Sequence, residues 1–123
     1  MGKKILIVED DFDTRYVLSL ILKGEGYEVI TAADGECALA VAAEQKPDLI
    51  ITDINMPRVN GIELTRNIRL KQETSSMPIL AITAYGHTTM RTAIAAGASA
   101  CTRKPLVPTE FLPIIKRLLA DAA

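Results

Sequence analysis

Lys4-Ile5-Leu6-Ile7-Val8-Glu9-Asp10-Asp11 opens the chain with a short β-rich run and then three carboxylates. An apolar run of this length, closed abruptly by polar residues, marks a strand buried on both faces of a sheet. The construction recurs. Residues 49–52 run into Asp53-Ile54-Asn55, Ile79–Thr83 closes on Thr83-Ala84, and Ala100–Arg103 leads to Lys104-Pro105. A fifth run, Glu28–Ala32, has no such polar ending.

Helical patterns separate the runs. Residues 14–23 carry Val17, Leu20 and Ile21 at helical spacing, with Asp13 placed to cap and Gly24 and Gly26 to stop. An Ala-rich helix starts at Asp34 or Gly35 and runs to about Glu44, with Leu39 and Ala42 inward, until Lys46-Pro47 breaks it. Pro57 and Asn60-Gly61 are turn signals before a third helix with Ile62, Leu64 and Ile68 on one side. Residues 73–78 read as a polar loop. Residues 88–96 read as an Ala- and Thr-rich helix ending at Gly97, with His87 near its start. The last helix spans residues 108–120, with Phe111, Ile114, Ile115, Leu118 and Leu119. Pro113 should kink it or move its start towards Thr109, because proline removes a backbone donor.

Strict βα alternation predicts an α/β fold: one parallel sheet with helices on both faces. Right-handed crossovers leave few arrangements. The flavodoxin-like doubly wound (βα)5 fold, with strand order 2-1-3-4-5, fits five units and puts its ligand site at the carboxyl ends of the first and third strands. Glu9, Asp10 and Asp53 stand at those ends.

Composition narrows the function. At 123 residues the chain has the size of one domain, and no linker or repeat divides it. It is 49% hydrophobic, has no Trp and carries a net charge of -1. No basic stripe is available for nucleic acid, so direct binding to DNA is not expected. No run approaches the ~20 apolar residues of a membrane span, and the N-terminal apolar run is too short for a secretory signal. A soluble, cytoplasmic protein is expected. Cys37 and Cys101 lack metal-ligand spacing and read as reduced core thiols.

Gathered at one sheet edge, Glu9, Asp10 and Asp53 bring three negative charges against the one positive charge of Lys104. Carboxylates this close repel, and one stays protonated unless a cation neutralises them. Hard oxygen donors without nearby His or Cys favour Mg²⁺, which takes one or two carboxylates and leaves positions for water and phosphate. Asp53, at a strand end, can act as a nucleophile that forms an aspartyl phosphate. The Thr83 hydroxyl and the Lys104 ammonium can each hold a phosphoryl oxygen, since phosphoryl transfer is mostly positioning and charge neutralisation.

With these residues in place, the chain resembles the receiver domain of two-component response regulators over its whole length, residues 1–123. The matching residues are Glu9-Asp10, Asp53 followed by Met56-Pro57 and Gly61, Thr83-Ala84, and Lys104-Pro105. The resemblance implies phosphorylation of Asp53 by a histidine kinase or a phosphotransfer protein. It implies that Asp10, Asp53 and the Asn55 backbone carbonyl ligate Mg²⁺ directly and that Glu9 acts through water. It further implies a cis Lys104-Pro105 peptide, a first helix that meets the kinase, and output to a downstream protein through the fourth helix, fifth strand and fifth helix. Such a protein is a regulatory phosphoacceptor, not an enzyme that turns over substrate. Asp11 matches no ligand position and reads as a surface or cap residue.

Two positions depart from the family. Cys101 stands where Tyr or Phe usually precedes the lysine by three. A thiol cannot report the switch by a large ring rotation, so the change is expected in the loop after Thr83, including Tyr85. A ring at Tyr85 would also shield the acyl phosphate from water and lengthen its life. Leu106 replaces the usual Phe conservatively.

Other readings compete. A pseudo-receiver adaptor would bind partners without phosphorylation, but such proteins lack one of the site residues and all are present here. The chain could be the receiver module of a hybrid kinase. A phosphatase of the haloacid-dehalogenase type also uses a strand-end Asp, Mg²⁺ and Lys. It needs a second Asp two residues on as general acid, where Asn55 stands.

Overall fold

A computed structural model describes residues 2–55, 60–84 and 86–121. Met56, Pro57 and Tyr85 lie outside the described residues. Among the described residues, five strands and five helices alternate: β1 (Lys4–Val8), α1 (Phe12–Gly24), β2 (Glu28–Ala32), α2 (Gly35–Gln45), β3 (Leu49–Asp53), α3 (Gly61–Leu70), β4 (Ile79–Thr83), α4 (His87–Ala96), β5 (Ala100–Arg103) and α5 (Pro108–Asp121). The strands form one parallel sheet in the order β2-β1-β3-β4-β5.

Because side chains alternate across a strand, each strand feeds two cores. On one face Leu6, Val8, Ile50, Ile79 and Ala81 pack with Ala38, Ala42, Leu64, Ile68 and Ala93 of α2, α3 and α4. On the other Ile5, Ile7, Leu49, Ile51, Leu80 and Ile82 pack with Leu18, Leu22, Phe111, Ile115, Leu118 and Leu119 of α1 and α5. The register pairs Val8 with Thr52, Asp53 with Ile82, and Thr83 with Arg103. The strand ends that carry polar residues therefore line up along one edge.

Several local expectations change. In α1 the buried residues are Leu18 and Leu22, while Val17 and Leu20 are 53% and 51% exposed. Apolar residues surround this helix, so its spacing alone does not say which stripe faces the sheet. The cap is Asp11, whose carboxylate accepts from the Thr14 N–H at 2.9 Å; Asp13 lies inside the first turn. Cys37 is exposed on α2 and is not a core thiol, because Ala38 and Ala42 are the buried residues of that helix. β3 extends one residue further than its apolar run, to Asp53. The 73–78 loop is not wholly polar in environment: Thr74 and Met77 are buried, and Thr74 Oγ1 donates to the Ile68 carbonyl at 2.7 Å. α5 begins at Pro108 and includes Pro113, so the later start is not adopted.

Candidate functional site

Each site residue is placed by the end of a strand. Glu9 and Asp10 follow β1, Asp53 ends β3, Thr83 ends β4 and Lys104 follows β5. Glu9 and Asp53 are 3% and 5% exposed, Thr83 is fully buried, and Asp10 lies at the exposed rim. One carboxylate oxygen from each of Glu9, Asp10 and Asp53 falls within 4.8 Å of the others. The Lys104 ammonium bridges the inner pair, 3.1 Å from Glu9 Oε1 and 3.0 Å from Asp53 Oδ2. Its own N–H donates to the Thr83 carbonyl at 2.8 Å, and the Lys104-Pro105 peptide is cis, as the resemblance implied.

Backbone donors fix both inner carboxylates. The Asn55 N–H donates to Asp53 Oδ1 at 3.1 Å, and the Asp11 N–H donates to Glu9 Oε2 at 3.2 Å. Behind Asp53, the start of α3 packs directly on the strand end. The Gly61 N–H donates to the Ile54 carbonyl at 2.9 Å, and a Cβ at Gly61 would run into the Asp53 carbonyl and the Ile54 Cα. That contact is why a side chain is excluded there.

The electrostatics are unbalanced. Burial first, then a hydrogen bond and charge repulsion from Asp53, push the Glu9 carboxyl from 4.5 to about 7; the Asp11 N–H and Lys104 pull the other way. For Lys104, burial works to lower the pKa, but the hydrogen bonds and charges of Asp53 and Glu9 outweigh it and raise it. One ammonium thus does not neutralise the site, and Glu9 holds a proton over much of the range in which a carboxyl is normally ionised. A divalent cation fits this set. The donors are three carboxylates, hard oxygen ligands of the kind Mg²⁺ takes, and the charge deficit is of the sign a cation corrects.

The remaining predicted positions are distributed around this edge. Asp11 points away as a helix cap, with Thr14 N and Oγ1 both donating to its Oδ2. His87 is exposed at the first position of α4. Cys101 is half-buried; it packs against the core and lines an open cleft of about 460 Å³ with His87, Met90, Arg91, Ile94 and Ala95. Burial pushes its thiol pKa up, against a backbone hydrogen bond from Thr102. The loop position Tyr85, expected to carry the switch and shield the phosphoryl group, lies outside the described residues.

One residue that touches the site escaped the sequence reading. The Arg15 guanidinium donates to the Glu9 backbone carbonyl at 2.6 Å and lies over the Phe12 ring, 5.6 Å from its centroid. Its only trace in the sequence is its spacing, six residues after Glu9 and three after Phe12, one turn on in the first helix.

Comparison with known proteins agrees with this geometry. The family model described as response regulator receiver domain matches residues 5–116. The chain is 34% identical over 123 residues to the polar-differentiation response regulator DivK of Brucella anthropi, covering 99% of this chain and 100% of DivK. It is 38% identical over 120 residues to the alkaline phosphatase synthesis transcriptional regulatory protein PhoP of Bacillus subtilis, covering 97% of this chain and 49% of PhoP. The chain thus spans about half the length of PhoP and of the probable transcriptional regulator ycf27 of Cyanophora paradoxa. Among solved structures it is similar to the receiver domain of the sensor histidine kinase PA1611 from Pseudomonas aeruginosa PAO1. The TM-score is 0.91 at 32% identity, over 98% of this chain and 99% of that one. That structure has a magnesium ion coordinated in its active-site cleft.

Proposed function

The chain belongs to the response regulator receiver domain family of two-component systems, and from that premise we propose that it accepts a phosphoryl group on Asp53 in a Mg²⁺-dependent reaction. Receiver domains are regulatory phosphoacceptors and not turnover enzymes. The observation that carries the reading is the Lys104 ammonium bridging Asp53 and Glu9 at 3.0 and 3.1 Å, inside a set of three converging carboxylates.

The residues take distinct roles. One Asp53 carboxylate oxygen attacks the phosphorus of the donor, and the donor's phosphorus–nitrogen or phosphorus–oxygen bond breaks as the leaving group departs. The Asn55 N–H, on Oδ1, fixes the carboxylate's rotation. Lys104 leaves its bridging position to hold one phosphoryl oxygen, and the Thr83 hydroxyl holds a second. When bound, Mg²⁺ supplies the positive charge that lets the carboxylates and the incoming phosphoryl group coexist. Asp10, Asp53 and the Asn55 carbonyl would hold it directly, with Glu9 acting through water.

The phosphodonor is a sensor histidine kinase or a phosphotransfer protein, and the output is a contact with a downstream protein. Direct binding to nucleic acid is not part of the proposed role. Among the described residues no helix is long and apolar enough to cross a membrane. Phosphotransfer profiling against the histidine kinases of the source organism, with Asp53→Asn as control, tests the proposal. One kinase should transfer label to the wild type and none to the variant. Equal labelling of the two would remove Asp53 from its role.

A further inference from the structure

We infer that Arg15 is a positioning residue for the metal site: by holding the Glu9 backbone carbonyl, it aims the Asp10 carboxylate at the cluster. The inference rests on the reading of this edge as a cation-binding phosphoacceptor.

The geometry runs through one peptide unit. The carbonyl of Glu9 and the N–H of Asp10 belong to the same plane, because the peptide bond does not rotate freely. Turning that plane about its two flanking bonds swings the Asp10 side chain through space. Glu9 is held on its other sides already. Its N–H donates to the Ala32 carbonyl at 3.2 Å, and its carboxylate takes the Asp11 N–H at 3.2 Å and Lys104 at 3.1 Å. The carbonyl is the remaining freedom, and the Arg15 guanidinium closes it at 2.6 Å. Charge-assisted hydrogen bonds of this length are the strong ones.

Arg15 is itself held in place. Its guanidinium lies over the Phe12 ring at 5.6 Å, and that ring stacks on Tyr16 at 6.1 Å with only 8° between the planes. Phe12 and Tyr16 are 64% and 55% exposed, so the stack contributes little core burial. It does confine a long side chain that would otherwise be mobile. Asp10 needs such support more than its neighbours do. Glu9 and Asp53 are buried and take donors on their own carboxylates, whereas Asp10 is at the exposed rim. Groups that orient a metal ligand from behind commonly change metal affinity by 10–100-fold when removed.

The test is calorimetric titration of MgCl₂ into the full chain, which has no Trp to report binding by fluorescence. Arg15→Ala should weaken Mg²⁺ binding about tenfold, Arg15→Gln should fall between, and Arg15→Lys, which keeps a charged donor, should recover most of the loss. Ile115→Val, a core change in α5 away from the site, should lower the melting temperature and leave the Mg²⁺ affinity within twofold of wild type. In the metal-free protein, the amide resonances of Asp10 and Asp11 should move in Arg15→Ala and stay in Ile115→Val. If Arg15→Ala does not fold, Arg15→Gln decides by the same criterion. Folded Arg15→Ala or Arg15→Gln protein that binds Mg²⁺ within twofold of a binding wild type would overturn the inference alone. A wild type that binds no Mg²⁺ would overturn both the inference and the metal-dependent reading beneath it.

Discussion

The two edges of the sheet solve the problem of buried charge in opposite ways. At the carboxyl edge, Glu9 and Asp53 share one ammonium, and Glu9 is pushed up to about 7 by burial and by its neighbour. At the amino edge of β4 and β5, the half-buried Arg69 guanidinium is met by neutral oxygens. Its Nε donates to the Gly97 carbonyl at 2.9 Å, one terminal nitrogen to the Met77 and Ser75 carbonyls at 2.6 and 3.2 Å, and the other to the Ser99 hydroxyl at 3.4 Å. Fixed dipoles complete that site, and it ties α3 to the entries of β4 and β5. The acidic edge is left short of positive charge. One edge is a finished structural clamp, and the other is poised for a ligand because its charges do not cancel.

Removing the cation at each edge separates them most sharply. Lys104→Met leaves two buried carboxylates facing each other, so in metal-free buffer at pH 8 it should cost about 2–4 kcal/mol, towards the range for breaking a buried pair. At pH 5, where Glu9 already carries a proton, the cost should shrink but not vanish, because Lys104 still pairs with Asp53 at 3.0 Å. Denaturant unfolding at the two pH values reads the difference, and equal losses at both would mean the carboxylates are not in conflict.

Arg69→Ala should cost about 2–3 kcal/mol by orphaning several hydrogen bonds to a charged donor. Its cost should be the same at pH 5 and pH 8, and Mg²⁺ affinity should not change. A drop in metal affinity as large as the drop in stability would show that the two edges are mechanically one unit.

The wild type itself should register the imbalance. A carboxyl whose folded pKa is raised binds more protons in the folded state than in the unfolded one. Its stabilising contribution is therefore full below about 4.5 and is lost as the pH rises through about 7. Metal-free protein should lose on the order of 1–3 kcal/mol over that interval, and saturating Mg²⁺ should reduce the slope. Proton competition at Glu9 also means that Mg²⁺ should bind more tightly at pH 8 than at pH 5.5. A flat stability profile from pH 4.5 to 7.5 without metal would contradict the raised Glu9.

The smallest effect belongs to Asp11, which lies beside the acidic pair in sequence but serves the helix. Asp11→Ala should cost about 1 kcal/mol through the lost cap and leave phosphoryl acceptance intact. Loss of labelling in that variant would return Asp11 to the site.

What could be read from the sequence follows the same division. The three inner strands, β1, β3 and β4, were legible because parallel strands buried on both faces are near-continuous apolar runs; the edge strands β2 and β5 are only partly buried and carry polar residues. The cluster at the carboxyl edge was legible because polar residues end four of the five runs. The inward stripe of α1 was not. Phe12, Tyr16, Val17, Leu18, Leu20, Ile21 and Leu22 leave no clear polar face, and the crossover from β1 to β2 chooses Leu18 and Leu22. The two cysteines gave no sign of their depth; α2 is so rich in Ala that exposed Cys37 and buried Ala38 look alike in pattern. Arg15 and Arg69 were invisible because each spends its charge on backbone carbonyls, which every residue has.

Intact-protein mass spectrometry after incubation with a small-molecule phosphodonor tests Asp53 as the phosphoacceptor most directly. Wild-type protein with Mg²⁺ should gain the mass of one phosphoryl group, located at Asp53 after borohydride trapping and digestion. The gain should vanish in Asp53→Asn and when Mg²⁺ is chelated. A phosphoryl adduct that persists in Asp53→Asn, or a wild type that takes none with Mg²⁺ present, would rule out Asp53 as a Mg²⁺-dependent phosphoacceptor.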